Sequence, residues 1–247
     1  MTSVRSVSVV VAAYNVAPLI ENCILSVIGQ THPEMELLVI DGGSTDGTLA
    51  VLEKYRGRIK WISEKDKGLN DAQGKGVAMA SGEWIFFLGA DDVLASPKAI
   101  ENLFNACPND VSSYDIITGH ALYEDGRLYR SNRPWLLRVK NCIHGQGAIY
   151  RRGLFREKNY DMSLRVYYDY DFNLWALTSG KKFFHTGVLL AVLGCGGHSD
   201  RPKWKNYRED MRARARYVKG LSLFATNVVA VIRFLYKVAW FRLLRSI

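Results

Sequence analysis

The chain has 247 residues, of which 48% are hydrophobic and 23% are charged. A chain of this length and composition can bury a large core, which argues against a disordered protein. The four cysteines, Cys23, Cys107, Cys142 and Cys195, lie far apart and form neither a CxxC pair nor a metal-ligand spacing. The chain also begins with a strand-like run in place of a signal peptide, so we expect a reduced, cytoplasmic protein.

The formal net charge of +9 is concentrated at one end of the chain. Residues 201–247 carry twelve Lys or Arg against Glu209 and Asp210, a net charge of +10, and residues 1–200 are left at −1. A basic balance confined to the tail indicates an anionic partner, either phospholipid or nucleic acid. It does not indicate the chemistry of the main domain.

The first hundred residues alternate between apolar, strand-like runs and helical patterns. Strands are predicted at 6–13, 36–41, 59–63 and 84–88, and helices at 18–29, 48–55 and 75–80. This alternation predicts a Rossmann-like α/β fold, with a mostly parallel central sheet covered by helices on both faces.

The second hundred residues are less regular. Strands are predicted at 115–123, 147–150 and 182–193, helices at 97–106 and 169–179, and a hairpin turn at 124–126.

A strongly basic helical pattern begins at Lys203, and an apolar stretch at 221–232 ends at Arg233. Twelve apolar residues fall short of the roughly 20 that cross a bilayer, so we expect an amphipathic helix that lies in the membrane surface. Aromatic rings mixed with cations beyond residue 221 also suit the headgroup boundary. We therefore expect residues 221–247 to bind an anionic membrane surface and not nucleic acid.

Polar residues follow three of the predicted strands, at Ala13-Tyr14-Asn15, at 41–46 and at 89–92. Ligands bind at the carboxyl ends of parallel strands, so the three loops should line one crevice. Asp41, at the end of a buried strand, favours ligand contact, whereas Asp46 is better explained as a helix N-cap.

Asp91 and Asp92 follow a hydrophobic strand directly. Adjacent carboxylates repel each other unless a cation or hydrogen-bond donors compensate, and oxygen ligands beside a diphosphate suit Mg²⁺ or Mn²⁺. The alternative is a solvated turn that caps the helix near Pro97.

Asp161, Asp169 and Asp171 form a second acidic group among tyrosines. An aspartate surrounded by aromatic rings at a helix start can act as a general base toward an acceptor hydroxyl, although Asp169 could also be an ordinary N-cap. His144 and His198 stand in glycine-containing loops, where a histidine binds metal or phosphate or is simply exposed.

Taken in order, these segments resemble family 2 of the inverting glycosyltransferases, which have the GT-A fold. The matching segments are 8–15, 38–48, 64–68, 80–92, 150–155 and 168–171. The resemblance covers about residues 5–200 and implies a GT-A domain at 1–200, with a nucleotide-binding half at 1–95 and an acceptor half at 96–200. Residues 201–247 would then be a basic, helical, membrane-associating tail.

The resemblance also implies roles for single residues. Asp169 would be the catalytic base, and a Mg²⁺ or Mn²⁺ ion would be held by Asp91, with Asp92 and His198 as further candidate ligands. The donor-binding residues would be Ala13, Tyr14, Asn15, Asp41, Asp66, Lys75, Ala90 and Asp91. The acceptor-side residues would be His144, Gln146, Tyr168 and Asp171.

Two departures from the family pattern stand out, and they leave two functions open. Gly89 replaces the first acid of the family's Asp-x-Asp motif, and residues 72–76 differ from the sequence that is usual there. The first function is inverting sugar transfer from a nucleotide diphosphate sugar, with UDP-sugar expected, to a lipid-linked glycan. It would take place at the inner face of the cell membrane, in cell-surface polysaccharide biosynthesis. The second is a degenerate, non-catalytic nucleotide-sugar-binding protein that acts as an interaction module.

Overall fold

A computed structural model describes residues 5–108, 110–194 and 203–243. Within these residues nine strands form one sheet, in the order β3-β2-β1-β4-β8-β6-β9-β5, with β7 paired to β6. The strands are β1 Val7–Ala13, β2 Met35–Asp41, β3 Lys60–Ser63, β4 Trp84–Gly89, β5 Val93–Leu94, β6 Ile116–Tyr123, β7 Leu128–Tyr129, β8 Ala148–Arg151 and β9 Phe183–Leu193. The α-helices are α1 Ile20–Ile28, α2 Thr48–Lys54, α3 Leu69–Met79, α4 Ala99–Asn105, α5 Leu154–Glu157, α6 Tyr168–Thr178, α7 Trp204–Ala215 and α8 Gly220–Leu243.

The first four strands form a parallel sheet, in which β1, β2 and β4 are largely buried and β3 is an exposed edge strand. β1 pairs in parallel with β2 and β4, and β2 pairs in parallel with β3. Along β1, Val9 and Val11 belong to the hydrophobic core on one face, and Val10 belongs to the core on the other. Continuous apolar strands are what a sheet covered on both sides requires, so the predicted α/β architecture is confirmed.

The second half of the sheet is mixed, and its pairings bring distant segments together. β8 lies antiparallel to both β4 and β6, and β9 is parallel to β6. The short strand β5 lies antiparallel to the end of β9. It comes directly after Asp91 and Asp92, so Gly194, which follows β9, is brought beside them.

The two C-terminal helices form an antiparallel pair on the acceptor half. α7 packs against α6, and its Arg214 is fully buried. α8 continues through Arg233 as one helix of 24 residues, so Arg233 interrupts the apolar stretch but not the helix. Within the described residues, α8 is the one helix long and apolar enough to cross a membrane by length and composition.

Candidate active site

The first two polar loops form one hydrogen-bonded unit beside the third. In the sheet, Ala13 is in register with Asp41, and Ala12 is in register with Gly89. The N–H of Asn15 donates to Ser44 Oγ at 2.8 Å, and the side-chain oxygen of Asn15 accepts from the N–H of Thr45 at 2.9 Å. Asn15 has a φ of 52°, a left-handed conformation that asparagine tolerates better than most residues. The three polar loops therefore lie side by side at the ends of β1, β2 and β4, and the ligand crevice between them stays a prediction.

The buried side chain of Asp41 fixes the conformation of the loop that follows β2. Its side chain has no exposed surface, and its oxygens accept hydrogen bonds from the N–H groups of Gly43 and Ser44 and from the hydroxyls of Ser44 and Ser63. These bonds satisfy a buried carboxylate and fix the shape of the loop. Contact between Asp41 and a nucleotide stays a prediction.

Asp66 and Tyr14 lie at the mouth of the crevice, on either side of Gly42. A side chain at Gly42 would begin 2.6 Å from Asp66 Oδ2 and 3.4 Å from the Tyr14 ring. Asp66 is held in place because its other oxygen accepts from the N–H of Gly68 at 2.9 Å. Tyr14 is 63% exposed, which leaves its ring available to a ligand. The glycine is thus required for the two predicted donor-binding side chains to approach the loop.

Three other predicted donor-side residues are less accessible. Ala13 and Ala90 are buried, and they could contribute only shape or backbone groups to the crevice. The Lys75 ammonium forms an ion pair with Glu64 at 2.8 Å and lies 3.7 Å from Asp71. A phosphate contact by Lys75 would require it to leave these partners.

The carboxylate of Asp92 turns back toward the strand and not out into the crevice. It accepts hydrogen bonds from the N–H groups of Gly89, at 3.0 Å, and Gly194, at 2.9 Å. A side chain at Gly89 would collide with the Asp92 carboxylate. Asp92 therefore occupies the space that an acid at position 89 would need, which explains the departure from the family's Asp-x-Asp pattern.

Asp91, in contrast, is exposed. Burial and the neighbouring Asp91 charge raise the pKa of Asp92 to about 6. A cation or hydrogen-bond donors would relieve this repulsion between adjacent carboxylates, and the predicted metal contact of Asp91 stays a prediction. No group of three or more His, Cys, Asp or Glu suited to a metal occurs among the described residues. The predicted ligand His198 lies outside those residues.

A 3-10 turn, Gly145–Gly147, connects the Asp91 loop to Asp169. The side chain of Gln146 lies near enough to Asp92 to influence the pKa of its carboxyl, and a side chain at Gly145 would begin 3.7 Å from Asp169 Oδ2. The turn is stabilised by His144, whose Nδ1 accepts from the N–H of Gln146 at 3.4 Å. Two carboxylate groups that are 77 residues apart in sequence therefore lie on either side of one short turn.

Asp169 lies in the first turn of α6 and is partly exposed. One of its oxygens accepts from the N–H of Tyr170 at 2.7 Å, and the side chain of Asn141 hydrogen-bonds to it. Burial outweighs these bonds and raises the pKa of Asp169 to about 6. A carboxylate with a pKa near the working pH is well suited to accept a proton in a reaction.

The remaining acceptor-side residues differ in accessibility. Asp171 is fully buried and forms ion pairs with Lys158 at 3.0 Å and Arg216 at 2.9 Å. It has no surface for an acceptor to touch, so its role is structural, which corrects the sequence-based expectation. Tyr168 is also buried, but His144 lies beside the Tyr129 ring at 5.0 Å, next to the cavity.

Residues that hold Asp169 in place were missed by the sequence reasoning. Glu209 Oε1 on α7 accepts from the N–H groups of Arg165, Val166 and Tyr167, at 3.0, 2.7 and 2.7 Å, just before α6 begins. Glu209 is one of only two acids among the last 47 residues. An isolated acid in a basic segment could have indicated a specific structural contact. Asn141 carried no comparable signal.

A sheet with this strand order, ending in acidic loops on its parallel half, is the GT-A architecture of nucleotide-sugar transferases. Residues 8–168 match the family described as glycosyl transferase family 2, and the chain belongs to that family of transferase enzymes. A "PGL/p-HBAD biosynthesis glycosyltransferase" of Mycobacterium bovis (strain BCG / Pasteur 1173P2) is 34% identical over 176 residues, 68% of each chain.

Two solved structures share the fold. Residues 1–349 of TarS of S. aureus, in complex with UDP-GlcNAc, superpose with a TM-score of 0.69 at 18% identity over 92% of this chain and 71% of that one. The mannosyltransferase PcManGT from Pyrobaculum calidifontis, with GDP-Man and Mn²⁺, has a TM-score of 0.68 at 20% identity over 92% of this chain and 69% of that one.

Proposed function

We propose that this chain catalyses the inverting transfer of a sugar from a nucleotide diphosphate sugar, with a UDP-sugar as the expected donor, to an acceptor hydroxyl. The observation that carries the proposal is the position of Asp169, a carboxylate with a raised pKa, directly across the Gly145–Gly147 turn from the Asp91 loop. The donor diphosphate would lie by Asp91, and the acceptor hydroxyl would lie by Asp169.

The reaction would be a single displacement. Asp169 accepts the hydroxyl proton while the acceptor oxygen forms a bond to the anomeric carbon. The bond from that carbon to the diphosphate oxygen breaks, and its electron pair leaves with the diphosphate. Attack from the side opposite the leaving group inverts the configuration. A general base of this kind contributes roughly 10²–10⁴-fold to the rate.

Asp91, with Asp92 behind it, would hold Mg²⁺ or Mn²⁺. When bound, such a cation stabilises the charge that develops on the leaving diphosphate, a contribution of several kcal/mol. The exposure of Asp91 and the crowding of two carboxylates support this assignment. The Mn²⁺ in the mannosyltransferase complex supports it by analogy.

The proposed acceptor is a lipid-linked glycan in cell-surface polysaccharide assembly, modified at the cytoplasmic side of the membrane. The mycobacterial relative named for PGL/p-HBAD biosynthesis supports an acceptor of this kind. The exposed apolar helix α8 supports work at a membrane surface.

A screen of nucleotide sugars for hydrolysis and transfer, with and without Mn²⁺ or Mg²⁺, tests the proposal. We expect metal-stimulated turnover of a UDP-sugar. Asp91→Asn should remove the stimulation, and Asp125→Asn, a change in the exposed hairpin turn, should leave it intact. Binding of a nucleotide sugar without turnover under any of these conditions would support the non-catalytic alternative.

A further inference from the structure

Helix α8 presents one face to the domain along most of its length. The Arg214 guanidinium donates to Thr226 O at 3.1 Å and to Asn227 Oδ1 at 3.2 Å. One turn further on, Ala230 is fully buried. After another turn, the Phe234 ring lies 5.0 Å from the ring of Trp204 on α7. These positions follow the spacing of three and four residues that defines one face of a helix.

The opposite face of α8 is apolar and open. Leu221 is 83% exposed, Phe224 is 67% exposed, and Ile232 and Leu235 are each nearly 60% exposed. Single exposed apolar side chains are ordinary on protein surfaces, but a continuous face of them marks a binding surface.

Up to its last turn, which contains Arg242, α8 has its charged residues on the side that packs against the domain and not on the side that water would favour. A helix at a solvated surface directs its charged residues outward. Between residues 220 and 240 the charged residues are Arg233 and Lys237, four positions apart. Both lie on the side of the helix that carries Ala230 and Phe234. The outer face of α8 is therefore adapted to an apolar environment.

A second element extends this face. The 3-10 helix Pro134–Arg138 presents Trp135, which is 57% exposed, beside the first turns of α8. A groove of about 350 Å³ lies between the two, with Trp135 and Val139 on one wall and Ser222 and Ala225 on the other. Arg138 is at its rim. The indole ring and the apolar side of α8 thus belong to one surface.

We propose that the outer face of α8 and Trp135 together insert into the anionic leaflet of a membrane, with α8 lying in the plane of that leaflet. The segments next to α8, namely the 3-10 helix, α7 with the residue before it, and the residue before α8, carry exposed cations; they are Arg138, Lys203, Lys205, Arg208, Arg212 and Lys219. Their charge complements anionic headgroups, and it would repel the same surface of a second copy of the chain. A bilayer is therefore a better partner than self-association.

The packing of α8 on α7 explains why α8 lies in the plane and does not span the bilayer. α8 is attached to the domain from Thr226 to Phe234, next to the charged outer residues of α7. Nine residues of α8 follow Phe234, and at 1.5 Å per residue they extend about 14 Å. A hydrocarbon core of about 30 Å cannot be crossed by that length.

This surface is coupled to the proposed base. The Tyr170 hydroxyl, next to Asp169, donates to Leu137 O at 2.5 Å in the 3-10 helix, and it accepts from Arg214 at 3.2 Å. The 3-10 helix therefore contacts the first turn of α6 directly, and α8 is connected to it through Arg214 of α7. If the proposed function holds, the inference deepens it, because an acceptor anchored in the leaflet would reach Asp169 from that side.

Flotation of the full chain with vesicles tests the surface without requiring turnover. We expect binding to equimolar phosphatidylcholine and phosphatidylglycerol vesicles, and weaker binding to phosphatidylcholine alone. The double variant Phe224→Glu/Ile232→Glu should bind about tenfold or more weakly, because charges replace apolar contacts. Leu25→Glu, at an exposed apolar position of α1, should bind like the unaltered chain.

Thermal unfolding shows whether the double variant is folded, and nucleotide-sugar hydrolysis without vesicles tests the transferase proposal separately. If the folded double variant bound vesicles as tightly as the unaltered chain, the proposed membrane-binding surface would be wrong. The proposal would also be overturned if the unaltered chain formed dimers without lipid and the double variant did not. A second copy of the chain, and not a membrane, would then be the partner of this surface. A C-terminal tag that is protected from protease in bound vesicles would show a spanning helix and overturn the in-plane arrangement.

Discussion

The two halves of the candidate site are held in place in different ways. On the donor side, the loop after β2 is fixed by near neighbours, since Asp41 binds the N–H groups two and three residues later. On the acceptor side, the start of α6 is fixed by residues about forty positions away, through Glu209 and Arg214 of α7. The comparison shows that α7 is structurally part of the same unit as α6, although its composition resembles that of a basic tail.

The largest effect is expected from breaking the connection between α7 and α6. Arg214→Met would leave Asp210, which is almost completely buried, without its ion-pair partner at 2.6 Å. An unpaired buried charge costs about 3–5 kcal/mol, so we expect a loss of that size in the free energy of unfolding. Chemical denaturation measures it, with Arg212→Met, at an exposed site on the same helix, as the control. Similar losses for both variants would show that the connection is unimportant.

A smaller loss of stability is expected on the donor side from Gly76→Ala in α3. The added methyl group would collide with the side chain of Val10 on β1, and overpacking of this kind costs about 1–3 kcal/mol. Gly74→Ala, in the same helix, meets nothing within 4 Å and should stabilise the protein by about 0.5–1 kcal/mol. If thermal unfolding showed that both variants change the stability in the same direction, the packing of α3 on β1 would be contradicted.

Gly42→Ala should weaken donor binding with little effect on the acceptor half. The new Cβ would push the Asp66 carboxylate away from its position beside Tyr14. We expect about a tenfold weaker affinity for the nucleotide, equivalent to about 1.4 kcal/mol. Calorimetric titration of nucleotide measures this, and Gly153→Ala, where the structure leaves space, is the control. Unchanged affinity would remove Asp66 from the proposed donor site.

The smallest effect should be a shift in pH dependence. The Glu209 charge is one of the influences that raise the pKa of Asp169. Glu209→Gln should therefore lower that pKa and move the acidic limb of kcat/KM to lower pH. Glu157→Gln, which alters only a surface ion pair with Lys181, should leave the limb in place. A shift to higher pH in Glu209→Gln would contradict the electrostatic connection between α7 and Asp169.

The sequence predicted the donor half well because its strands are continuous apolar runs that end in polar loops. Helix α3 was predicted from residue 75, but it begins at Leu69. Gly74 and Gly76 weaken the helical pattern, while the Asn70 amide reaches across to Asp161 O at 3.3 Å. A local pattern contains no information about such a distant contact.

The acceptor half was harder to predict because its key residues act through tertiary contacts. Arginine is rarely buried, so composition assigned Arg214 to a basic, membrane-associating tail. The spacing of Asp210 and Arg214, four residues apart on a helix, was a signal for their ion pair. Likewise, only the coordinates show that Asp92 folds back over Gly89.

One measurement tests the central claim most directly, namely that Asp169 is the base of a transferase site. The acidic limb alone cannot identify it, since the pKa values of Asp92 and Asp169 are both about 6. Asp169→Asn should reduce kcat by roughly 10²–10⁴-fold and leave nucleotide affinity unchanged.

Asp169→Asn should also change the pH dependence of the free energy of unfolding. The pKa of Asp169 is raised from 3.8 to about 6 because burial disfavours the ionised form. Ionisation of Asp169 therefore destabilises the folded protein increasingly between about pH 4 and pH 6, and by a constant amount at higher pH. The substituted asparagine side chain cannot ionise, so Asp169→Asn should raise the free energy of unfolding by about 1–3 kcal/mol at pH 7 and should leave it unchanged below pH 4. A stable, nucleotide-binding Asp169→Asn variant that turns over like the unaltered enzyme would contradict the account.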